Sequence, residues 1–510
     1  MDYRRKSLRD QRQPARERNE WHVSSMERRW VGLQRWWALC GLMLIAASWR
    51  LWIPSDAFPH VSLVAWASSP PAWLTYACTT AMVVSLASLI VVTKRSPLRT
   101  TLLTTYLLTW AILVILNQHR LQAWAYQFAL LALAFSMSPS QRGLTWTRGL
   151  VLSIYFYSAW GKFDYQFIHT VGQQFLAVVC GWCGWLLTSW PLEQWPTELR
   201  LGVALLFPLG ELAVAILLGL PQRRMTGVCC AVFLHACLLA ILGPWGLRHE
   251  SGVLLWNVFF MGQAIWLFAP RLQFWGQSSQ VGAEEPNLPL PQTSELTDSP
   301  TDRTEQPEGF AAQGLESHRA NRGEAASAGS PAGSGKSRGR LGPRFLAGVV
   351  RPSGISEWLL LAAIVMPMWE PWGVWDHWPS WGLYSPRNSR VQLEVHRSEW
   401  ERLPSDLQRL GRFAAASQRD ERSDPWVQVD LGAWSLNALQ VPIYPQQRFQ
   451  LGVASSFLAR GQLDRGFRLH LLGISHRWTG ERSTTTLRNR MQVDAAARRY
   501  WFHAQPNDTD

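Results

Sequence analysis

About nine stretches of this chain are so apolar over such a length that they constrain everything else: 35–53, 72–93, 99–117, 121–138, 147–163, 199–220, 224–243, 252–269 and 355–370. A helix that crosses the hydrocarbon layer needs roughly 20 mostly apolar residues, because backbone N–H and C=O groups find partners there only within the helix itself. The fourth, fifth and ninth stretches are short by this measure and the others meet it. The spacing predicts an α-helical polytopic membrane bundle of about nine spans, eight plus one after a long polar break, with a C-terminal α+β soluble domain. The 31 Trp, 20 Phe and 10 Tyr set against 17% charged residues agree with that class and are unusual for a soluble enzyme. A near-zero mean hydropathy arises only because the spans are averaged with polar regions at 1–34, at 276–345 and after about 381.

Orientation is read from Lys and Arg between the spans, which cytoplasmic loops hold in excess. The first 34 residues carry Arg4, Arg5, Lys6, Arg9, Arg12, Arg16, Arg18, Arg28 and Arg29, whereas 54–71 has no Lys or Arg. Lys94, Arg95 and Arg99, then Arg142 and Arg148, then Arg223 and Arg224 mark every second connection as cytoplasmic. The expected location is the cell (inner) membrane, multi-pass, with a cytoplasmic N-terminus and, after an odd number of spans, an extracytoplasmic C-terminal domain. An even number would reverse that side. The net charge of +13 is dispersed among apolar segments, so it is read as a membrane-orientation signal and no nucleic acid partner is expected.

The resulting division is a basic cytoplasmic tail over 1–34, a multi-span domain over 35–275, a linker over 276–345, a final span with an aromatic belt over 346–380, and the α+β domain over 381–510. Pro, Gly, Ser, Glu and Arg fill the linker with almost no aliphatic periodicity, too little to offset ordering entropy, so disorder is expected there. The belt is Trp369, Trp372, Trp375, Trp378 and Trp381, whose amphipathic rings favour an interface. The first apolar run is read as a retained anchor, a cleaved signal peptide being the alternative. All seven cysteines precede residue 238, so the C-terminal domain has to be stable without disulfides. In that domain 390–396, 426–431 and 467–476 alternate as strands do, 398–410 offers a helix capped at Ser398, and 445–460 has helical spacing with a proline at its start. It contains no nucleophile elbow, phosphate loop or metal motif, which favours an interaction or packing module.

Polar residues inside spans cost roughly 2.5–3.5 kcal/mol each on insertion scales and so call for a cavity, a partner or a function. Lys162 ends the fifth span beside Asp164, Glu211 interrupts the sixth, His235 the seventh and Asn257 the eighth. From the helical rise, Glu211, His235 and Asn257 lie about 18, 12 and 8 Å below the outer ends of their spans, with Lys162 at the rim. The four can line one outward-opening pocket. Two readings stand: Glu211 hydrogen-bonds His235 as interhelical glue while Lys162 snorkels, or a desolvated Glu211 acts as general acid or base with His235 as its relay and Lys162 holding an anionic headgroup. Asn117, His119 and Arg120 pack donors into one outer turn beside Trp124 and Tyr126, suited to a headgroup or to a plain polar hairpin; Tyr157 on the fifth span is a further candidate ligand contact. Cys180 and Cys183 form a C-x-x-C, either a redox pair on an oxidising face or two incidental small residues. No metal site is expected.

The order Asn117-Gln-His-Arg-Leu-Gln, Tyr155-x-Tyr-Ser-x-x-Gly-Lys162-Phe163, Gly210-Glu211 and His235 resembles the HTTM domain superfamily, which includes vitamin K-dependent gamma-carboxylase, over about 35–270. The Gly-Lys-Phe ending followed by a Glu on the next helix is similar to DoxX and MauE membrane proteins. The resemblance implies a membrane-embedded Lys acting as base on a reduced quinone, with Lys162 as the matching position. No peptide-binding exosite is recognisable.

Two functions follow. One is lipid or quinone handling, with or without catalysis, in the pocket of Lys162, Glu211, His235 and Asn257, with a quinone as candidate cofactor and membrane lipids as partners. The other is a noncatalytic scaffold that presents the C-terminal domain to a protein partner. A transporter has less support, since no inverted repeat is visible.

Overall fold

The computed structural model describes residues 26–137, 141–184, 191–269, 352–412 and 425–507. Of the tail expected over 1–34, residues up to 25 lie outside the described residues while 26–34 form the start of the first helix, and the linker expected at 276–345 lies outside them as well. The chain opens with α1 (Met26–Ala47) and a short α2 (Trp49–Trp52), then α3 (Ala72–Val91), α4 (Pro97–Leu116), α5 (Ala123–Ser136) and α6 (Gln141–Lys162). There follow α7 (Tyr165–His169), α8 (Val171–Trp182), α9 (Thr197–Ala204), α10 (Leu206–Gly219), α11 (Arg224–Leu242), α12 (Ser251–Phe268) and α13 (Ile355–Val365). Among the described residues six helices are long and apolar enough to cross a membrane: Met26–Ala47, Ala72–Val91, Pro97–Leu116, Thr197–Gly219, Pro221–Leu242 and Ser251–Phe268. The three short stretches are helical as well, but α5 has 14 residues, α13 has 11, and the Arg- and Thr-containing first half of α6 lowers its apolarity.

Local chemistry explains several element ends. Ser96 caps α4 by accepting from the Arg99 N–H, with Pro97 at the first helical position. Pro208 lacks the N–H that would bond to Ala204, and the Thr197–Gly219 run is divided there into α9 and α10. The stretch read as an outer loop at 163–198 holds α7 and α8; Asp164 caps α7 by accepting from the Phe167 N–H at 3.0 Å.

Contacts define two ends of the helical body. At one, Gln34 donates to the Leu89 carbonyl at 2.8 Å, Arg99 to the Phe135 carbonyl at 2.9 Å, Arg148 to the Leu267 carbonyl at 2.8 Å, and Arg142 pairs with Glu357 at 2.5 Å. This basic end gathers the Lys- and Arg-bearing connections. The opposite end carries 54–71, 117–122 and 163–170, and on it sits the C-terminal region. There a five-stranded antiparallel sheet runs in the order β2-β3-β1-β4-β5, from β1 (Arg390–His396), β2 (Gly411–Arg412), β3 (Trp426–Val429), β4 (Phe467–Leu472) and β5 (Thr484–Leu487). Val391, Leu393 and Val395 of the central strand are buried, as its alternation dictates. The helix expected over 398–410 is two one-turn helices, α14 (Arg397–Trp400) and α15 (Ser405–Gln408), because Pro404 cannot continue the first; His396 rather than Ser398 provides the cap. Helices α16 (Leu431–Leu439), α17 (Gln447–Arg460) and α18 (Arg490–Ala497) complete the region.

The described residues form one compact unit in which helices and sheet share a continuous core. Helix α17 is the link. It is buried from Arg448 through Leu458, and at Gly452 a Cβ would come within 2.8 Å of Val61 from the 54–71 connection. The Trp434 indole donates to the Ala57 carbonyl at 2.8 Å, Asn507 accepts from the Ser62 N–H at 2.8 Å, and Gln118 donates to the His503 carbonyl at 2.7 Å. The sheet region is thus fastened to the connections of the helical body.

Candidate functional site

Helix α6 carries Tyr155, Ser158 and Lys162, spaced by three and four so that all three lie on one face. That face meets Glu211 of α10, His235 of α11 and Asn257 of α12, and all six side chains are largely buried. The Lys162 ammonium donates to both carboxylate oxygens of Glu211 at 2.9 and 2.8 Å, to Ser158 Oγ at 2.7 Å and to the Ser158 carbonyl at 3.1 Å. Three N–H protons therefore share four acceptors.

A second chain of hydrogen bonds lies alongside. Asn257 Nδ2 donates to the Val253 carbonyl at 2.9 Å, which turns its Oδ1 toward His235 Nδ1, also at 2.9 Å. An amide oxygen only accepts, so Nδ1 carries the proton and Nε2 presents a lone pair, which accepts from the Tyr155 hydroxyl at 2.7 Å. Phe260 stacks on the imidazole with ring centres 4.9 Å apart and planes 6° from parallel. The ring is held in one tautomer and one orientation.

These groups line a cavity of about 40 Å³ with Trp256, Leu383 and Tyr384. A water needs roughly 10–15 Å³ by this measure, so there is room for two or three waters or for one polar group of a ligand. Chemically the site offers an ammonium held by a carboxylate, and an Asn–His–Tyr chain able to pass a proton between its ring nitrogen and a phenol.

Lys162, Glu211, His235 and Asn257 do converge, with two corrections to the expected pairing. Glu211 bonds Lys162 and not His235, because the α6 face rather than the α11 face presents a donor to it. Lys162 is not at the rim: it is 2% exposed and leaves Asp164 to cap α7 and to accept from Ser385 Oγ at 2.9 Å. Tyr155 and Ser158, which the sequence places in the motif ending at Lys162 without a role in the pocket, belong to the cluster; their spacing from Lys162 by seven and four residues puts them on its face. Tyr157, five residues from Lys162, faces a different cavity on the other side of α6. Gln127 and Gln263 form a further buried pair at 2.9 Å, with the Trp256 indole donating to Gln127 at 2.6 Å.

Asn117, His119 and Arg120 lie apart from this cluster, sealed under the C-terminal region. His119 Nε2 donates to the Pro442 carbonyl at 3.0 Å, Asn117 accepts from the His119 N–H at 3.1 Å, and Arg120 donates to the Leu51 and Leu113 carbonyls at 3.0 and 3.3 Å. Burial pushes the His119 imidazole down to about 4, since its Nδ1 has no partner to receive a second proton. Cys180 and Cys183, at the end of α8, are free and partly exposed thiols.

Fold and site together define a predominantly helical protein with, among the described residues, six membrane-length helices, a buried Lys–Glu pair beside a tautomer-fixed His, and an antiparallel sheet region seated on one end. No family model, curated protein or solved structure matches this chain.

Proposed function

We propose that the chain is a multi-span protein of the cell membrane, basic end toward the cytoplasm, which binds a lipid or a quinone at the cavity between α6, α10, α11 and α12. In this reading α5, α6 and α13 cross the bilayer too, completing nine spans and placing the sheet region outside the cytoplasm, and the arrangement is HTTM-like with Lys162 in the place of the membrane-embedded base. The observation that carries it is the cost of the cluster: an ammonium, a carboxylate, an imidazole and an amide gathered in an apolar interior around space left for a polar group. A quinone carbonyl or a headgroup oxygen is of the size that replaces such waters. An entering anion would compete with Glu211 for Lys162, and a carbonyl would take the Tyr155 proton as a hydrogen bond.

The test is mass spectrometry of lipids and quinones retained by the detergent-purified protein, compared with Lys162→Ala/Glu211→Gln and with Tyr155→Phe, which keeps ring volume. A specific isoprenoid or lipid held by the wild type and lost from both variants is expected. The same complement in all three would sink the proposal and favour a noncatalytic scaffold, for which Met491, Trp501 and Phe502, exposed apolar side chains near the end of the chain, offer a surface to a protein partner.

A further inference from the structure

On the opposite side of α6 from the Lys162 cluster lies a larger chamber, of about 450 Å³, within the range of ligand pockets. Phe156, Tyr157 and Trp160 of α6 form one wall, and Met368, Pro371 and Trp372, from the 3-10 turn Met366–Trp372 after α13, form the other. The segment around Gly382 packs against Gly161 and closes the third side, and there a Cβ on Gly382 would strike the His377 ring at 2.4 Å.

The floor is polar. His377 Nδ1 meets Glu370 Oε1 at 3.0 Å, His377 Nε2 meets the Ser385 carbonyl at 2.9 Å, and Arg387 Nη1 donates to Glu370 Oε2 at 3.2 Å while its Nε donates to the Ser475 carbonyl at 3.0 Å. A carbonyl only accepts, so Nε2 donates to Ser385, and Nδ1 faces the Glu370 carboxylate. Arg477 adds a second guanidinium, stacked 4.6 Å from the Trp160 ring centre and within electrostatic reach of Glu370. Glu370 neutralises one of these charges, and Arg387 Nη2 has no acceptor among the described residues. A cationic floor with an uncommitted N–H, under aromatic and aliphatic walls, fits an anion that carries an apolar chain. The mouth is rimmed by Phe156, Trp160, Met368 and Trp372, all exposed, which is the side a bilayer would face in the orientation proposed above.

We infer that this chamber binds the anionic headgroup and upper chain of a membrane phospholipid, with Arg387 and His377 on the headgroup and the α6 aromatics on the chain. The site is separate from the Lys162 cavity and does not depend on what that cavity holds. The experiment is native mass spectrometry of the full-length protein in detergent, titrated with phosphatidylglycerol, phosphatidylcholine or inorganic phosphate, for the wild type, Arg387→Gln and Met368→Trp. The last variant fills the chamber from an exposed rim position and leaves the buried floor intact. Phosphatidylglycerol is expected to bind about tenfold more tightly than phosphatidylcholine, and both variants to lose about tenfold in that affinity. Equal affinity for the two lipids, or unchanged phosphatidylglycerol affinity in a folded Met368→Trp, overturns the inference. So does competition by inorganic phosphate at the lipid's own concentrations, which would make the site one for a free anion.

Discussion

The Lys162 ammonium has more acceptors than protons, and Glu211 spends both oxygens on it. Removing one partner strands a buried charge, which typically costs about 3–5 kcal/mol, whereas replacing both with apolar groups of similar volume is close to neutral. Glu211→Met alone should therefore lower the thermal transition of the detergent-solubilised protein markedly, and Lys162→Met/Glu211→Met should recover most of the loss. Purely additive losses in that double-mutant cycle would show the two residues to be uncoupled. At this scale the sequence is a good guide to which residues are out of place in an apolar span and a poor guide to whom they meet. Lys162, Glu211, His235 and Asn257 stand out by polarity alone. That Glu211 goes to Lys162 and His235 to Tyr155 depends on helix rotations of a few tens of degrees, and although Tyr155 belongs to the motif ending at Lys162, a tyrosine is too ordinary in such a run to mark it as a partner of His235.

Between elements, α1 and α12 interlock through a reciprocal pair of small and large residues. Gly32 and Trp36 are one turn apart on α1, as are Gly262 and Trp266 on α12, and the two helices run antiparallel. A Cβ on Gly32 would stand 2.3 Å from Trp266, and one on Gly262 would stand 2.3 Å from Trp36. The Trp36 indole also donates to the Phe259 carbonyl at 3.1 Å. Small residues that let helices approach closely are the main device of packing where no hydrophobic effect separates helix from surroundings. Gly262→Ala is expected to cost about 1–3 kcal/mol by overpacking, read as a lowered transition temperature, and Gly262→Ala/Trp36→Phe to regain part of it. A neutral Gly262→Ala would mean that α1 can shift away without penalty. The long helices are legible here because apolar length is a local property. The break in the 398–410 helix was equally legible at Pro404, while α16, β5 and α18 carry too short a periodic signal to be separated from loop.

For the molecule as a whole, the decisive contact is the seam between the helical connections and the C-terminal region. Arg448 of α17 donates to Gln118 Oε1 at 2.8 Å and to Asp376 Oδ1 at 2.7 Å, drawing the sheet region, the 117–122 turn and the segment after α13 to one point. His119 is buried in the same seam with its pKa down at about 4. An unfolded histidine titrates near 6.5, so the unfolded state takes up a proton first as pH falls. The seam's stability should be full above about 6.5, decline as pH falls toward 4, and level off below that, where the folded state is protonated too; the full shift corresponds to about 3 kcal/mol. Protection factors of 117–122 and 441–449, each taken relative to the intrinsic exchange rate at its own pH, check this at pH 7 and pH 5: lower protection at pH 5 in the wild type, and a smaller difference in His119→Gln, are expected. Identical protection at both pH values in the wild type would contradict it.

Several features follow from the sequence by itself: a mainly helical body with membrane-length apolar helices, the boundaries of most of them within a few residues though the first begins at Met26 and not at 35, the clustering of Lys and Arg on alternate connections, and a small α+β region without disulfides. Each rests on composition or periodicity over a local window, which is where hydrophobic length, proline and charge act. Only the tertiary structure decided that Asn117, His119 and Arg120 lie under α17 and not beside Lys162, that Tyr155 and Tyr157 open onto different cavities, and that Glu370, His377 and Arg387 assemble a cationic floor. Those outcomes depend on how helices are rotated about their axes and on which distant segment covers each end, and a change of one residue in facing sends a side chain to a different neighbour.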